Sequence, residues 1–195
     1  MVVKKSDGFT LTEILVAISI AAILLSVAIP SFSEMIRQNR LTTSINRFTT
    51  AHNLARSEAV ARGKSVSLCK SNNATTTSPS CDTGSANWED GWIVFVNADN
   101  DNPPAVDVGE KILRVSSALT STYSLRGSTG ATAFVTYRST GDIDIAGTFV
   151  LCDNSSISQS RAMFIGTNGR ISMAKRNSDD IPLDDAGNAI TTCTP

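Results

Sequence analysis

Few side chains in this 195-residue sequence have types and spacings that can do chemistry. Four of them are cysteines, Cys69, Cys81, Cys152 and Cys193, with no C-x-x-C pair among them. Zinc ligands come in short steps, and these spacings are long. An even number of cysteines in a Ser/Thr/Asn-rich stretch fits two disulfides and an oxidising compartment instead. Three connectivities are open, and Cys69–Cys81 with Cys152–Cys193 is the expected one, because each pair brackets a turn-rich stretch that a covalent tie would hold down. The single histidine, His52, falls on an apolar helical stripe, where a hydrogen-bonded core residue is the expectation. A nucleophile without an accessible base cannot be activated, so the chain is not expected to be an enzyme and calls for no cofactor.

Two further clusters are chemically suggestive. Asn97, Asp99, Asp101 and Asp107 could ligate calcium, but an EF-hand loop starting at Asn97 needs glycine at position 102 and glutamate at 108, where the chain has Asn102 and Val108. A solvated acidic turn is expected there, and no metal. Arg170, Lys175 and Arg176 could touch phosphates. The formal net charge is only −1, however, and nothing in it advertises a nucleic-acid partner.

The most unusual acid is Glu13, the one charge in the 21 residues from Phe9 to Ile29. As a helix that run spans about 30 Å, the thickness of a bilayer core. Lys4 and Lys5 on its N-terminal flank place the first residues in the cytoplasm and those from Pro30 onward across the membrane, an assignment that Arg37 and Arg40 oppose only weakly. A secretory signal would be cut after its apolar run at an A-x-A site. Here Ala21-Ala22 and Ala28 are followed by more helix-like sequence, so the run is expected to be retained. A carboxylate at the margin of such a helix is costly unless it is shallow, protonated or paired, and Glu13 asks for a positive partner.

Gly8-Phe9-Thr10-Leu11-Thr12-Glu13-Ile14, after lysines and before an apolar run ending in Pro30, resembles the type IV prepilin (class III) signal. The resemblance implies cleavage after Gly8 by a prepilin peptidase, N-methylation of Phe9, and a role for Glu13 as the assembly carboxylate that pairs with the N-terminal amine of a neighbouring subunit. Thr12 departs from the aliphatic residue more usual there. Loss of Lys4, Lys5 and Asp7 with the leader would take the net charge from −1 to −2.

The elements that must carry these residues follow from periodicity. Pro30 can kink a membrane helix without ending it. Beyond it Leu41, Ile45, Phe48, Ala55 and Ala59 lie on one helical face with His52, and Gly63 is placed to stop the helix. A helix from about Phe9 to about Arg62 is about 80 Å long, too long for a small domain to bury. From Ser65 onward, short β-branched or aromatic runs separated by Gly, Asn, Asp and Ser predict antiparallel strands over 65–70, 91–97, 111–115, 123–126, 133–138, 147–153, 162–166 and 170–174. Residues 72–87 and 179–195 read as loops. The fold class is α+β: a long N-terminal helix packed on an all-β antiparallel head of about eight strands.

Trp88-Glu89-Asp90-Gly91-Trp92-Ile93-Val94-Phe95, the Asn/Asp loop with Glu110–Val115 after it, and Phe164–Ile171 resemble the head of GspH/FimU-type minor pilins. For Trp88, Trp92 and Phe95 core packing is the expected role. The domain reading is a leader (1–8), a transmembrane and filament-core helix (9–29), its amphipathic continuation (30–62) and a periplasmic head (63–195).

The resemblance implies a minor pilin that helps initiate and cap type IV pilus assembly, resident in the inner membrane and then at the pilus tip. Its implied partners are other minor pilins, the major pilin, the prepilin peptidase, the inner-membrane assembly platform and a tip adhesin. A type II secretion pseudopilin shares the signal and head; the two disulfides and the long polar tail favour the pilus. FimT-like DNA-binding pilins carry a Gly-Arg-x-Arg motif in a comparable region, and Gly169-Arg170-Ile171-Ser172 lacks its second arginine.

Overall fold

The computed structural model describes residues 8–128, 130–154, 156–184 and 187–194. The leader therefore lies outside the described residues except for Gly8. One α-helix, α1, runs over Leu11–Arg62 and continues through Pro30. Its start is fixed by a capping box. The Thr10 backbone N–H donates to the Glu13 carboxylate at 2.9 Å, while the Glu13 N–H donates to the Thr10 hydroxyl at 3.3 Å. Its end is fixed by Gly63, whose φ of +62° is the left-handed turn that glycine adopts without strain, and the Lys64 N–H closes back on the Ala59 carbonyl at 3.3 Å.

The chain divides into two units, Met1–Arg40 and Leu41–Pro195. In the first, apolar side chains from Leu11 to Ile29 are exposed along the helix, which is long and apolar enough to cross a membrane. Glu34 pairs with Arg37 one turn on.

In the second unit eight strands follow the helix. They are β1 (Ser65–Lys70), β2 (Gly91–Asn97), β3 (Ile112–Ser117), β4 (Tyr123–Gly127), β5 (Phe134–Tyr137), β6 (Gly147–Asp153), β7 (Ser156–Ile165) and β8 (Ile171–Met173). They form two antiparallel sheets, ordered β3-β2-β1-β5 and β4-β6-β7-β8. β7 begins six residues earlier than the predicted 162. Ser156–Arg161 is too polar to read as a strand, and its place is set by pairing with the end of β6, across an irregularity between Leu151 and Asp153. The segment read as a loop from 179 onward is tied by isolated bridges, Arg176 to Pro182 and Leu183 to Ala189.

Alternation along the strands sorts the side chains into an inner and an outer set. Inward-facing Val66, Leu68, Trp92, Val94, Leu125, Val135, Tyr137, Phe149, Leu151, Met163 and Ile165 share one core with Leu41, Ile45, Phe48, Ala51, Ala55 and Ala59 of α1. The alanines let the sheets approach the helix backbone. Outward-facing residues are buried too. Cys69, Ile93 and Phe95 pack under Ala74, Cys81 and Val106, and Val150, Cys152 and Ala162 pack under Ala174, Ile190 and Cys193. Each sheet thus carries an irregular cover on its outer face, which is why β2 and β6 read as almost unbroken apolar runs.

Both anticipated disulfides are present, Cys69–Cys81 and Cys152–Cys193, and no described cysteine is free. Each ties one cover to the sheet beneath it.

Candidate assembly site

At the N-terminus the Gly8–Phe9 junction precedes the helix and is not itself helical, with Phe9 84% exposed and open space around Gly8. A peptide bond that a protease must cut has to be accessible, and Phe9 on its C-terminal side is exposed. Four residues further on, Glu13 is held by Thr10 alone among the described residues: the backbone N–H bond is joined by the Thr10 hydroxyl at 3.0 Å. Among the described residues the carboxylate therefore has neutral donors and no cation beside it. Thr10 is the functional contact that sequence reading missed. The T-x-x-E spacing ahead of an apolar run is a capping-box pattern and carried the signal.

The head holds the other candidates. His52 is fully buried, and its Nδ1 lies 3.1 Å from the Tyr137 hydroxyl. Burial pushes its pKa down to about 3, so the ring is neutral at any ordinary pH. The same burial raises the Tyr137 hydroxyl above its ordinary range. This is core chemistry, as the apolar stripe predicted.

Asp99, Asp101 and Asp107 do converge, with carboxylate oxygens within 4.8 Å of one another. Their loop uses them internally. Asp99 accepts the Asp101 N–H at 3.3 Å, and Asp101 accepts the Ala105 N–H at 2.8 Å. Asn97, the fourth member of the sequence cluster, is buried, donating to Ser67 and to the Asp101 carbonyl, both at 3.1 Å. It anchors the turn and is turned away from a ligand role.

Of the three basic residues near the last strand, Arg170 and Lys175 are exposed. Arg176 is committed to structure. Its guanidinium donates to the carbonyls of Ser158 and Ser160 and pairs with Asp180, so it holds the start of the C-terminal cover against β7.

The Trp88–Trp92 segment shows why its residue types are needed. Both indoles are buried edge-on to Phe48, at 5.3 and 5.0 Å between ring centroids. Trp88 Nε1 donates to the Ala131 carbonyl at 3.0 Å, and Arg47 lies over the Trp92 ring at 5.1 Å. Glu89, in the 3-10 turn Trp88–Asp90, pairs with Arg126 and accepts the Leu125 N–H at 3.1 Å, linking the turn before β2 to β4 in the other sheet. At Gly91 φ is +132°, and a Cβ would lie 2.7 Å from the Ser116 carbonyl, so only glycine fits between the two tryptophans.

Residues 44–173 match the family described as Type II transport protein GspH, and residues 3–29 match the prokaryotic N-terminal methylation motif. Two crystal forms of the type IV minor pilin FimU of Pseudomonas aeruginosa are similar in structure, at TM-scores of 0.57 and 0.53, each 19% identical. They cover 80% and 78% of this chain and 97% and 99% of FimU. The minor pseudopilin EpsH of the type 2 secretion system of Vibrio cholerae aligns at a TM-score of 0.47 and 12% identity, over 69% of this chain and 95% of its own. No curated protein sequence matches the chain. The likeness to FimU is one of fold: the long helix on antiparallel sheets.

Proposed function

The chain belongs to the GspH family of minor pilins and pseudopilins, and from that premise we propose that it is a minor pilin that enters a type IV pilus at the tip and helps initiate its assembly. The observation that carries the reading is Glu13, a carboxylate on an apolar, exposed helix whose described partners are the neutral groups of Thr10. In hydrocarbon that charge needs a cation, and cutting after Gly8 creates one, because an α-amine at Phe9 is protonated near neutral pH. N-methylation keeps it basic.

Pairing the Phe9 amine of one subunit with Glu13 of the next makes insertion of each new helix depend on cleavage of its predecessor or successor. Gly8 is thus the last leader residue, Phe9 the methylated terminus and Glu13 the docking group. The peptidase and the inner-membrane platform act before assembly, while the subunit is single-pass with its head in the periplasm. Other minor pilins, the major pilin and a tip adhesin meet it afterwards. The two disulfides fit an oxidising periplasm.

The processing claim is tested by mass spectrometry of the filament-associated protein. N-methyl-phenylalanine from Phe9 is expected, whereas an intact Met1 or a cut beyond Ile29 would overturn the reading. A pseudopilus role is favoured by the family's description as a type II transport protein. Deletion separates the two: loss of surface pili and twitching with normal exoprotein secretion supports the pilus, and the opposite phenotype assigns the subunit to secretion.

A further inference from the structure

Strand β3 forms one edge of its sheet, and Arg47 reaches it from α1. Arg47 Nη2 donates to the Ser117 carbonyl at 2.6 Å and to the Ser117 hydroxyl at 3.2 Å, while its guanidinium lies over the Trp92 ring at 5.1 Å. These contacts fix the head of a long side chain. They leave its Nε and Nη1 without an acceptor among the described residues. Trp92 stands opposite Ser116 of β3, and Arg114, two residues earlier, stands opposite the core residue Val94. Side chains two apart on a strand share a face, so Arg114 and Ser116 turn to the same side of the sheet as Trp92, the side on which α1 packs. Between Val94 and Phe95 the register shifts and Leu113 has no residue opposite it, so the edge is bulged immediately before Arg114.

The two arginines differ from others in the head. Arg62, Arg126, Arg138 and Arg176 each meet a carboxylate. Arg47 and Arg114 meet none among the described residues, and Arg114 has no hydrogen-bond acceptor there either. Both are half-buried. Burial, and after it the neighbouring Arg114 charge, hold the Arg47 pKa below the usual arginine range. Like charges kept close with N–H groups unmet form an arrangement that an anion completes. Each guanidinium is a planar fork whose paired N–H groups match the two oxygens of a carboxylate. Nucleic acid instead needs a run of cations along its backbone, and a chain of net charge −1 with two arginines at this place offers no such track.

We propose that Arg47 and Arg114 together receive the carboxylate of an aspartate or glutamate side chain presented by another polypeptide, which packs along the seam between α1 and β3. Arg47, held by Trp92 and Ser117, is the preorganised half of the site, and Arg114 closes on the second oxygen. Charge complementarity selects an acidic partner surface over a basic one. The proposal concerns the head alone and does not depend on whether a pilus or a pseudopilus carries the subunit.

The test uses the full chain in detergent micelles at low ionic strength, with the blocked pentapeptide SGEGS as probe and the arginine Nε–H resonances as readout. Saturable shifts are expected at Arg47 and Arg114, and none at Arg126, which already has its carboxylate. The glutamine peptide SGQGS should bind at least about tenfold more weakly. Arg114→Met keeps the apolar stem and removes the charge, so it should weaken binding of SGEGS by about tenfold, and Arg114→Lys, which loses the fork, by about threefold. In the free protein Arg114→Met should leave the urea midpoint unchanged or raise it, since it relieves a like-charge contact, whereas a merely structural arginine would lower it on removal. Absence of saturable binding, equal binding of the two peptides, tighter binding of a single-stranded hexanucleotide than of SGEGS, or a lowered midpoint for Arg114→Met would overturn the proposal.

Discussion

The Nδ1 of His52 on the helix lies 3.1 Å from the hydroxyl of Tyr137 on β5, 85 residues away in sequence. Burial keeps that imidazole neutral down to about pH 3. The unfolded chain takes up the same proton near pH 6.5, so it binds more protons than the folded chain throughout the interval. Stability contributed by this group is thus complete above about pH 7 and is lost as pH falls toward 3, by about 5 kcal/mol in the limit. Urea unfolding followed by the fluorescence of Trp88 and Trp92 should show that decline. His52→Gln should flatten the slope between pH 6.5 and pH 4 by about one proton; an unchanged slope would refute the assignment.

Phe48 is the hub of the aromatic cluster, edge-on to Trp88, Trp92 and Phe149 and to His52. Truncation to alanine leaves a cavity ringed by four large side chains that cannot all collapse inward. Phe48→Ala should cost about 3–5 kcal/mol in denaturant unfolding, and Phe48→Leu about 1–2 kcal/mol. Equal costs would mean that the lost volume contributes nothing beyond the edge contacts, and would refute the cavity argument.

The disulfides close loops of different size, 12 residues apart for Cys69–Cys81 and 41 for Cys152–Cys193. On loop entropy, removing the first by double serine substitution should cost about 3 kcal/mol and the second about 4 kcal/mol. The two losses should also differ in place. Amide exchange should rise along the cover of the first sheet in one variant and along residues 174–194 in the other.

Glu13→Gln keeps the capping box, since a glutamine oxygen still accepts the Thr10 N–H, and removes only the charge. Membrane insertion, cleavage after Gly8 and methylation of Phe9 should proceed, while recovery in sheared filaments drops by about tenfold or more. Thr10→Val is the complementary change. It breaks the box and keeps the carboxylate, costing the helix start about 1 kcal/mol, and should reduce recovery far less. Equal defects in the two variants would show that the cap, and not the charge, governs entry.

Much of the fold is legible in the sequence. β1, β2 and β6 are bounded by turn residues and rich in aromatic or β-branched side chains, and their limits read directly from the sequence. The helix face from Leu41 to Ala59 followed from a 3.6-residue period. Where the reading fell short, tertiary pairing had overridden local preference. Ser156–Arg161 extends β7 only because β6 lies beside it, and Arg176 looked like a free cation until the carbonyls of Ser158 and Ser160 were seen to surround it. At the N-terminus Glu13 stood out as an isolated charge, and the Thr10 cap that holds it was present in the spacing but unread.

The covers tied down by the two disulfides have a consequence for how such a subunit can change. The helix and the inner faces form a chassis whose residues constrain one another, while residues 72–80 and the described stretch before Cys193 lie outside it, held by a covalent tether, apolar contacts and, for the second, the Arg176 bonds to β7. Insertions or exchanges between the tethers leave the chassis untouched. The outer surface of the head can therefore change like interchangeable panels while the inner frame that holds the helix is kept.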